Sequence, residues 1–326
     1  MKAFITGATG FVGSHLVDAL ISRGYQVRCL KRKTSSTKWL DGKNIEFVEG
    51  DLFSDDVLEK ALADVDYVFN IAGVVKAKNT EGFRKANFFA TKNLIEVCSR
   101  VNPGLRKFVH ISSQAVCGPS PDLVPMTEEY TPRPHTAYGI TKLEGEREVL
   151  KYKDTLPVTV IRPPAIYGPR DTEIFIYFQM AAKGITPLIG FKDKFVSLIY
   201  VKDLVNGIIL AAENDKSNGE VFFISSDKFY NWKEVGETAS ALMNKKCINI
   251  RFPHWLVYTV GFFAQIFSVF SKNAATLNIE KCWDLTRTAW ICSNEKAKKL
   301  LGFSEQYTLK EGFKESFEWY KQNKWI

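Results

Sequence analysis

The sequence predicts an α/β fold in which a parallel sheet is covered by helices on both faces. Two observations predict this fold. Short apolar segments alternate with helix-like segments through the first half of the 326-residue chain, and a glycine-rich turn follows the first of these segments. Strands that alternate with helices form right-handed strand–helix–strand units, so consecutive strands lie parallel. The sequence contains no repeats, low-complexity tracts or long linker, which favours one packed unit over separable domains.

The predicted strands are short runs rich in valine, isoleucine and phenylalanine. In chain order they are KAFIT, QVRCLK, IEFVEGD, DYVFNIA, KFVHISS and VTVIRP. The segments between them place apolar residues at helical spacing. These predicted helices are FVGSHLVDALISRG, DDVLEKALA, GFRKANFFATKNLIEVCSR and AYGITKLEGEREVLKY. We expect Gly24 to end the first helix and Ser54 to cap the second.

The glycine-rich turn TGATGFVGSH predicts a dinucleotide site. Gly7, Gly10 and Gly13 are three residues apart, directly after the first strand and at the start of the first helix. Glycines at this spacing permit a tight turn and let backbone N–H groups approach a pyrophosphate, which the helix N-terminus also attracts. Thr9, Phe11 and Val12 belong to the same turn and are predicted to line the cofactor. The expected fold is therefore a Rossmann-type doubly wound parallel sheet.

The second half of the chain is less regular. Proline and glycine interrupt RPPAIYGPRD, and a predicted helix at 174–183 is followed by FVSLIYVKDL, EVFFIS and WKEVGETASALM. We expect residues 1–165 to form the nucleotide-binding domain, with later segments contributing to it. Residues 166–326 are expected to form a smaller, interwoven C-terminal substrate lobe.

The end of the second predicted strand favours NADP(H) over NAD(H). NAD-specific sites place an acidic residue there to bind the ribose 2′-hydroxyl. This chain has VRCLKRKTS instead, with four cations and no acid. Arginine binds a phosphate in bidentate geometry. Arg28 and Arg32 are the residues expected to contact the 2′-phosphate, although a solvated basic loop would have the same sequence.

Tyr138 and Lys142 form a candidate proton-transfer pair. Residues four apart share a helix face. A nearby ammonium group lowers the pKa of tyrosine and makes it a usable general acid or base. Ser112 and Ser113 end the fifth predicted strand, at the edge of the sheet where ligands bind in open α/β folds. These serines could hold the reacting oxygen.

The sequence resembles the extended short-chain dehydrogenases/reductases of the NAD-dependent epimerase/dehydratase type. The motifs are TGATGFVG, GDL, FNIAG, SSQAVCG, YGITK, RPPAIYGP and FVSLIYVKDL, which span nearly the whole chain. The resemblance implies that Asp51 and Leu52 lie by the adenine, that Ala72 and Gly73 line the cofactor, and that Pro164 borders the nicotinamide. It implies that Ser113 holds the substrate oxygen and that Lys142 also binds the nicotinamide ribose. It further implies that Asn87 matches a family asparagine and that a homodimer is common.

Departures from the family pattern narrow the expected reaction. Gln114 and Ala115 stand where family dehydratases have an Asp–Glu pair, and Ala165 stands where nucleotide-sugar enzymes have an asparagine. The chain looks more like reductases of the dihydroflavonol and 3β-hydroxysteroid type. The resulting prediction is an NADP(H)-dependent oxidoreductase that interconverts a ketone and a secondary alcohol by Ser–Tyr–Lys catalysis. A nucleotide-sugar 4-epimerase with retained cofactor is the alternative, and a non-catalytic NADP(H) sensor is a third hypothesis.

Aromatic residues of the second half suggest a bulky, apolar substrate, although such residues at helical spacing also suit a protein core. They are Phe175, Tyr177, Phe178, Phe262, Phe263, Phe267 and Phe270. The longest apolar run, Trp255 to Phe270, is too short to span a bilayer. A buried or lid helix is favoured there, and peripheral membrane contact is the alternative.

Composition excludes several other classes. The net charge is +8, but the basic residues are scattered among 36 acidic ones and no nucleic-acid motif is present, so no nucleic-acid partner is expected. The six cysteines form no C-x-x-C pair, which predicts reduced thiols and a cytoplasmic location. The four histidines show no metal-ligand spacing, so no metal site is predicted. The N-terminus leads directly into the first strand, and no signal peptide is expected.

Overall fold

The computed structural model describes residues 1–269 and 277–326. Its elements are numbered here in chain order. The strands are β1 (Lys2–Thr6), β2 (Gln26–Lys31), β3 (Glu46–Glu49), β4 (Tyr67–Asn70), β5 (Lys107–Ile111), β6 (Val158–Arg162), β7 (Ala165–Tyr167), β8 (Ile185–Ile189), β9 (Phe195–Tyr200), β10 (Glu220–Phe223), β11 (Phe229–Asn231), β12 (Ile248–Phe252) and β13 (Ala289–Trp290). The helices are α1 (Phe11–Ser22), α2 (Asp55–Leu62), α3 (Thr80–Phe83), α4 (Ala90–Val101), α5 (Ala137–Leu150), α6 (Phe175–Ala182), α7 (Val201–Glu213), α8 (Trp232–Leu242), α9 (His254–Val269), α10 (Ile279–Thr286), α11 (Glu295–Leu301) and α12 (Leu309–Gln322).

Seven strands form the main sheet in the order β10-β6-β5-β4-β1-β2-β3, and every pairing is parallel. Apolar residues of α1, α7 and α11, among them Leu16, Ile208 and Leu301, pack on one face. Residues of α2, α4 and α5, such as Leu58, Leu94 and Val149, pack on the other. The predicted Rossmann-type fold is confirmed, because the seven strands run parallel and helices cover both faces of the sheet.

The smaller lobe has its own core beside the carboxyl end of the main sheet. Strands β11, β9 and β13 pair in that order, β7 also pairs with β9, and β12 pairs with β8. Phe178, Val235 and Phe313 come from α6, α8 and α12 and pack together with this second sheet. Strand β10 follows lobe strands in the sequence but pairs with β6 at the edge of the main sheet. The chain therefore passes from the main sheet into the lobe and back again.

One predicted helix is interrupted. The sequence predicts a continuous helix over GFRKANFFATKNLIEVCSR, but residues Arg84–Phe89 form a π-helical turn between α3 and α4. Helix α5 crosses this turn in backbone contact, since a Cβ on Gly145 would lie 2.5 Å from the Asn87 carbonyl oxygen. The wide turn directs the buried Asn87 side chain to the loop after β4, where its Oδ1 accepts from the Val74 N–H at 2.9 Å.

Helix α9 corrects a further prediction. The sequence favours a buried or lid helix for Trp255 to Phe270. The buried alternative is wrong, because α9 exposes an apolar face that includes Trp255 and Phe267, while the lid alternative stays a prediction. The final residue of that run, Phe270, lies outside the described residues. Among those residues, the structure contains no helix of sufficient length and apolarity to cross a membrane.

Candidate active site

The glycine turn joins β1 to α1 in the way its sequence predicts. Gly7 has a φ of +70°, and a Cβ on it would lie 2.8 Å from the Ala72 nitrogen. A Cβ on Gly13 would lie 2.1 Å from the Gly7 carbonyl oxygen, so only glycine permits this close approach. Gly10 precedes α1 without a capping side chain, and the first turn of α1 contains no acidic residue. The helix N-terminus, with Thr9, Phe11 and Val12 around it, is therefore suited to a pyrophosphate.

Ser113, Tyr138 and Lys142 meet at the carboxyl edge of the same sheet. Ser113 follows β5 and hydrogen bonds with Tyr138, which lies in the first turn of α5. Ser113 Oγ also accepts from the Ala115 N–H at 3.1 Å. The neighbouring Ser112 is buried, and its hydroxyl has no partner among the described residues. Of the two serines that the sequence offers, the structure therefore places Ser113 against the tyrosine.

Lys142 lies one turn further along α5, with only 4% of its surface exposed. Its Nζ donates to the Ile111 carbonyl oxygen at 2.5 Å. A Cβ on Gly73 would lie 3.6 Å from this ammonium group, so Lys142 faces the exposed Gly73 in the loop after β4. The lysine thus reaches from the catalytic helix toward the predicted cofactor-lining residues.

Helix α5 is fixed from both ends. Thr136 caps its N-terminus by accepting from the Gly139 N–H at 3.2 Å, and the Glu280 carboxylate accepts from the Ala137 N–H at 3.1 Å. Further along, Glu146 forms a buried ion pair with Arg162 of β6, whose Nε donates to Oε2 at 3.0 Å. These contacts set the position of Tyr138 relative to Ser113.

Burial controls the protonation of this group. It raises the pKa of Tyr138, an effect that the hydrogen bond with Ser113 opposes and the Asp284 charge reinforces. It lowers the pKa of Lys142 to about 8, against the attraction of Glu146. The Tyr138 shift is opposite to the one that the Tyr–Lys spacing predicts, because burial is its largest cause. The phenol therefore remains protonated at neutral pH.

A buried polar network lies behind Lys142. Thr6 Oγ1 accepts from the Ala72 N–H at 3.1 Å and donates to Asn70 Oδ1 at 2.8 Å. Asn70 Nδ2 is 3.1 Å from His110 Nδ1, and burial together with the Lys142 charge lowers the pKa of His110 well below its usual value. Because His110 is neutral at physiological pH, Lys142 is the positively charged residue next to this buried network.

Asn87 acts beside this network as a link between elements. Its Nδ2 donates to the Val74 carbonyl oxygen at 3.2 Å and to Thr141 Oγ1 at 3.3 Å. The structure therefore gives it a positioning role between the loop after β4 and α5. The π-helical turn that directs it there leaves no signal in the apolar periodicity of the sequence.

The other residues implied by family resemblance also lie at this edge. Asp51 and Leu52 follow β3, and Asp51 Oδ1 accepts from the Phe53 N–H at 2.8 Å. Ala72 and Gly73 follow β4 directly opposite the glycine turn. Pro164 is buried between β6 and β7, next to Pro163, whose carbonyl oxygen accepts from the Gln114 N–H at 2.9 Å. The structure thus places these residues along the same edge of the sheet as the Ser–Tyr–Lys group.

The structure contradicts the prediction for Arg28. The residue is 8% exposed, its Nε donates to Glu46 at 2.8 Å and its Nη1 donates to Asp64 at 2.6 Å. Position 28 lies in the middle of β2, and its side chain crosses the sheet toward the C-terminus of α2, away from the ligand edge. Arg32 directly follows β2 at that edge and is exposed, with no side-chain ion pair or hydrogen bond within residues 1–269 and 277–326.

Most aromatic residues expected to form a substrate pocket lie elsewhere. Phe175 and Phe178 belong to the lobe core, Tyr177 stacks on Trp232 at 4.7 Å, and the α9 aromatics face outward. Other residues surround Tyr138 instead. Phe83 lies 6.3 Å away by ring centroids, and α10 contributes Asp284, whose charge acts on Tyr138. The neighbouring Trp283 packs in a tilted arrangement on His135, with ring centroids 4.6 Å apart. The sequence analysis missed these residues because they lie in three separate segments and form no motif.

Asp284 adds an acidic group to this side of the site. Burial raises its pKa to about 6, while Lys281 and Arg287 oppose the shift. On the far side, an ion pair of 2.6 Å between Lys76 and Glu173 connects the loop after β4 with the segment before α6.

No group of metal-ligating side chains was found in the described part of the chain. All six cysteines lie in that part, and they are free.

Comparisons with known proteins agree with this geometry. The model of the NAD dependent epimerase/dehydratase family matches residues 3–225. Ceramide reductase from Caulobacter vibrioides is 28% identical over 324 residues, which cover 99% of this chain and 95% of the relative. The mouse (Mus musculus) decarboxylating sterol-4-alpha-carboxylate 3-dehydrogenase is 30% identical over 328 residues, covering 95% and 88%. The structure of UDP-glucuronic acid 4-epimerase from Bacillus cereus superposes with a TM-score of 0.80 at 24% identity, covering 99% and 100%.

Proposed function

Since the chain belongs to the NAD-dependent epimerase/dehydratase family and is an NAD(P)-dependent enzyme of the extended short-chain type, we propose that it is an NADP(H)-dependent oxidoreductase acting on a ketone or secondary alcohol. The observation that carries this proposal is the convergence of Ser113, Tyr138 and Lys142 beside the glycine turn of β1 and α1. The substrate is a bulky, predominantly apolar small molecule. The group is placed for proton transfer at a carbonyl oxygen, the event that couples to hydride transfer.

Each residue of the group has a distinct role in ketone reduction. Ser113 Oγ donates a hydrogen bond to the carbonyl oxygen and holds it near the phenol of Tyr138. The raised pKa of Tyr138 keeps the phenol protonated, and Tyr138 gives its proton to the oxygen as the alcohol forms. Lys142 binds the cofactor ribose and favours the phenolate that remains. A bound nicotinamide dinucleotide supplies the hydride that reaches the carbonyl carbon, so the reverse reaction oxidises the alcohol.

The end of β2 supports the choice of NADP(H). Arg32 and the exposed Lys33 lie where an NAD-specific protein would place an acidic residue, and neither side chain has a hydrogen-bonding or ionic partner among the described residues. A 2′-phosphate at this edge would give Arg32 a charge-assisted partner. This reassigns to Arg32 and Lys33 the contact that the sequence analysis divided between Arg28 and Arg32.

The side chains around Tyr138 support an apolar substrate. Phe83 is buried against the Tyr138 ring, Trp283 of α10 lies half-buried against His135, and Ile176 at the start of α6 is half exposed. Two relatives of comparable length act, by their names, on ceramide and on sterol carboxylates. A substrate with a similar apolar body would bury the exposed parts of Trp283 and Ile176, which contributes affinity without requiring many polar contacts.

The proposal is tested by titrating the purified protein with NADPH and with NADH by fluorescence and then chasing with excess unlabelled cofactor. We expect tighter binding of NADPH and exchange within seconds. R32A should weaken NADPH binding about tenfold and leave NADH binding nearly unchanged, since it removes one charge-assisted contact. Preference for NADH would contradict the assignment of Arg32. A cofactor that stays bound through the chase would contradict a dissociable co-substrate and favour the epimerase.

Turnover tests the catalytic group itself. With NADPH and a 3-oxosteroid as the probe ketone, Y138F should lower kcat by about 10³-fold while NADPH affinity remains, because only the transferable proton is lost. Y152F, a tyrosine beyond the end of α5, is the matched control and should remain active. An active Y138F enzyme would exclude the proposed mechanism.

A further inference from the structure

Helix α9 presents an apolar surface that is exposed among residues 1–269 and 277–326. Its exposed large side chains recur every three or four residues, so they share one face of about 160° on a helical projection. These residues, here called the outer face, are Trp255, Val260, Phe262, Phe263, Ile266 and Phe267. Trp255 is 68% exposed and Phe267 is 69% exposed. Contiguous apolar surface of this kind on a water-soluble domain marks a site of association.

The opposite face of α9 is anchored in the lobe. Val257 is buried, its carbonyl oxygen accepts from Cys282 Sγ of α10 at 3.2 Å, and Tyr258 Oη lies 3.3 Å from Thr286 Oγ1. A Cβ on Gly261 would lie 2.3 Å from the same sulfur, so the two helices pack in close contact. The outer face is therefore held rigidly and directed away from the protein.

Cationic groups surround the N-terminal end of the outer face. The ring of His254, the first residue of α9, would lie 2.4 Å from a Cβ on Gly190, so the following loop residue Phe191 is next to the helix and is itself 74% exposed. Lys192 follows and is exposed. Burial lowers the pKa of His254, and the positive charges of the nearby Lys194 and Arg287 lower it further. Within the described chain, α9 itself contains no acidic residue, and the nearby Asp193 is paired with Arg251 at 3.2 Å.

We propose that the outer face of α9, together with Phe191 and Lys192, docks on a lipid bilayer that contains anionic headgroups. Tryptophan and phenylalanine side chains enter the interfacial region of a bilayer, and lysines beside them interact with anionic lipid. The charge pattern favours this occupant over a second copy of the chain, because a two-fold contact through this face would bring the exposed Lys192 groups of both copies together. The docking does not depend on the proposed chemistry.

Docking through the outer face would bring one side of the candidate active site close to the membrane. Helix α10 is sandwiched between α9 and the start of α5, and it carries Trp283 and Asp284 next to Tyr138. A docked α9 would hold this side of the active site within one helix diameter of the membrane. An apolar substrate, as in the proposed function, could then leave the bilayer near Tyr138.

Flotation of the full-length protein with vesicles tests the proposal. The probes are vesicles of phosphatidylcholine alone and of phosphatidylcholine with phosphatidylglycerol, at low and high salt. We expect binding that is strongest on the anionic vesicles at low salt. The F263Q/F267Q double variant should lower the partition coefficient about a hundredfold, at about tenfold for each phenylalanine withdrawn from the interface. K192A should lower it about fivefold on anionic vesicles only.

Controls separate docking from other effects. F47Q changes an exposed phenylalanine on β3 at the opposite edge of the main sheet and should bind vesicles like the unmodified protein. Turnover of a soluble ketone should be the same in F263Q/F267Q and in the parent, so a failure of the proposed function would appear there and not in flotation. Lack of vesicle binding, or binding that F263Q/F267Q leaves unchanged, would overturn the proposal. A dimer that F263Q/F267Q converts to monomers, without any vesicle binding, would assign the outer face to a second copy.

Discussion

The two sides of the candidate site are built in different ways. On the sheet side, backbone meets backbone: Gly13 lies against Gly7, Gly139 against Ala115 and Gly145 against Asn87, each with no space for a Cβ. On the lobe side, α10 reaches Tyr138 through side chains, namely Trp283, Asp284 and the capping carboxylate of Glu280. The sheet side therefore tolerates almost no substitution, while the lobe side can change without disturbing the fold. Such a division suits an enzyme whose chemistry is fixed and whose substrate contacts differ among relatives.

The largest expected effect comes from the sheet side. G13A places a Cβ 2.1 Å from the Gly7 carbonyl oxygen. The turn must shift, so we expect a loss of about 3 kcal/mol in the free energy of unfolding and dinucleotide binding weakened by about a hundredfold or more. Chemical denaturation and cofactor titration measure the two quantities. G104A is the matched control, because a Cβ there meets open space. Equal behaviour of the two variants would remove the distinction drawn between the two sides.

A smaller effect concerns the buried Lys142. Burial lowers its pKa from 10.5 to about 8, so below pH 8 the folded protein bears the cost of a buried charge. Between pH 8 and 10.5 the unfolded state binds more protons than the folded state, and this cost is relieved as the pH rises. K142M should therefore be more stable than the parent by about 3 kcal/mol at pH 7, and the difference should shrink toward pH 10. Chemical denaturation of both proteins across this range measures the difference.

Neighbouring groups do not obscure this measurement. His110 is already neutral at these pH values, and Glu146 retains Arg162 as its partner in both proteins. A stability difference that stays constant from pH 7 to pH 10 would mean that Lys142 is not desolvated as the structure indicates.

The smallest expected effect comes from the lobe side. The Asp284 carboxylate raises the pKa of Tyr138, so D284N should lower it. In ketone reduction the phenol must be protonated, and the alkaline limb of the kcat/KM profile should therefore move to lower pH. We expect a shift of less than about one pH unit, since one unit already corresponds to about 1.4 kcal/mol. The fold and NADPH affinity should remain unchanged, and a variant that unfolds would show that the lobe side is as constrained as the sheet side.

The same division explains what the sequence could predict. The parallel sheet, the glycine turn and the Ser–Tyr–Lys group are encoded by local spacing, and the structure brings them together. The strand QVRCLK was also correctly identified, yet Arg28 was assigned to the cofactor. The direction of a side chain in a strand depends on which face it occupies, and Glu46 and Asp64, which pair with Arg28, are distant in sequence.

Contacts between segments that are distant in the sequence could not be predicted from local sequence patterns. Phe83 and Asp284 approach Tyr138, and Trp283 packs on the nearby His135. These residues come from segments that are far apart in the sequence, and no spacing rule connects them. The apolar run of α9 illustrates the same limit. Its composition suits a core helix or a surface helix equally, and only the packing against α10 determines which face is covered.

The return of β10 to the main sheet has a consequence for how the chain folds during synthesis. Strand β6 has no neighbour on its outer side until β10 pairs with it, and residues 163–219 lie between the two strands. At about 5–20 residues per second, the ribosome needs several seconds to make this interval. Throughout that time the nascent parallel sheet would present an unpaired apolar edge, which is a template for association with other chains. We therefore expect the growing chain to depend on chaperone protection until residue 223 has left the ribosome.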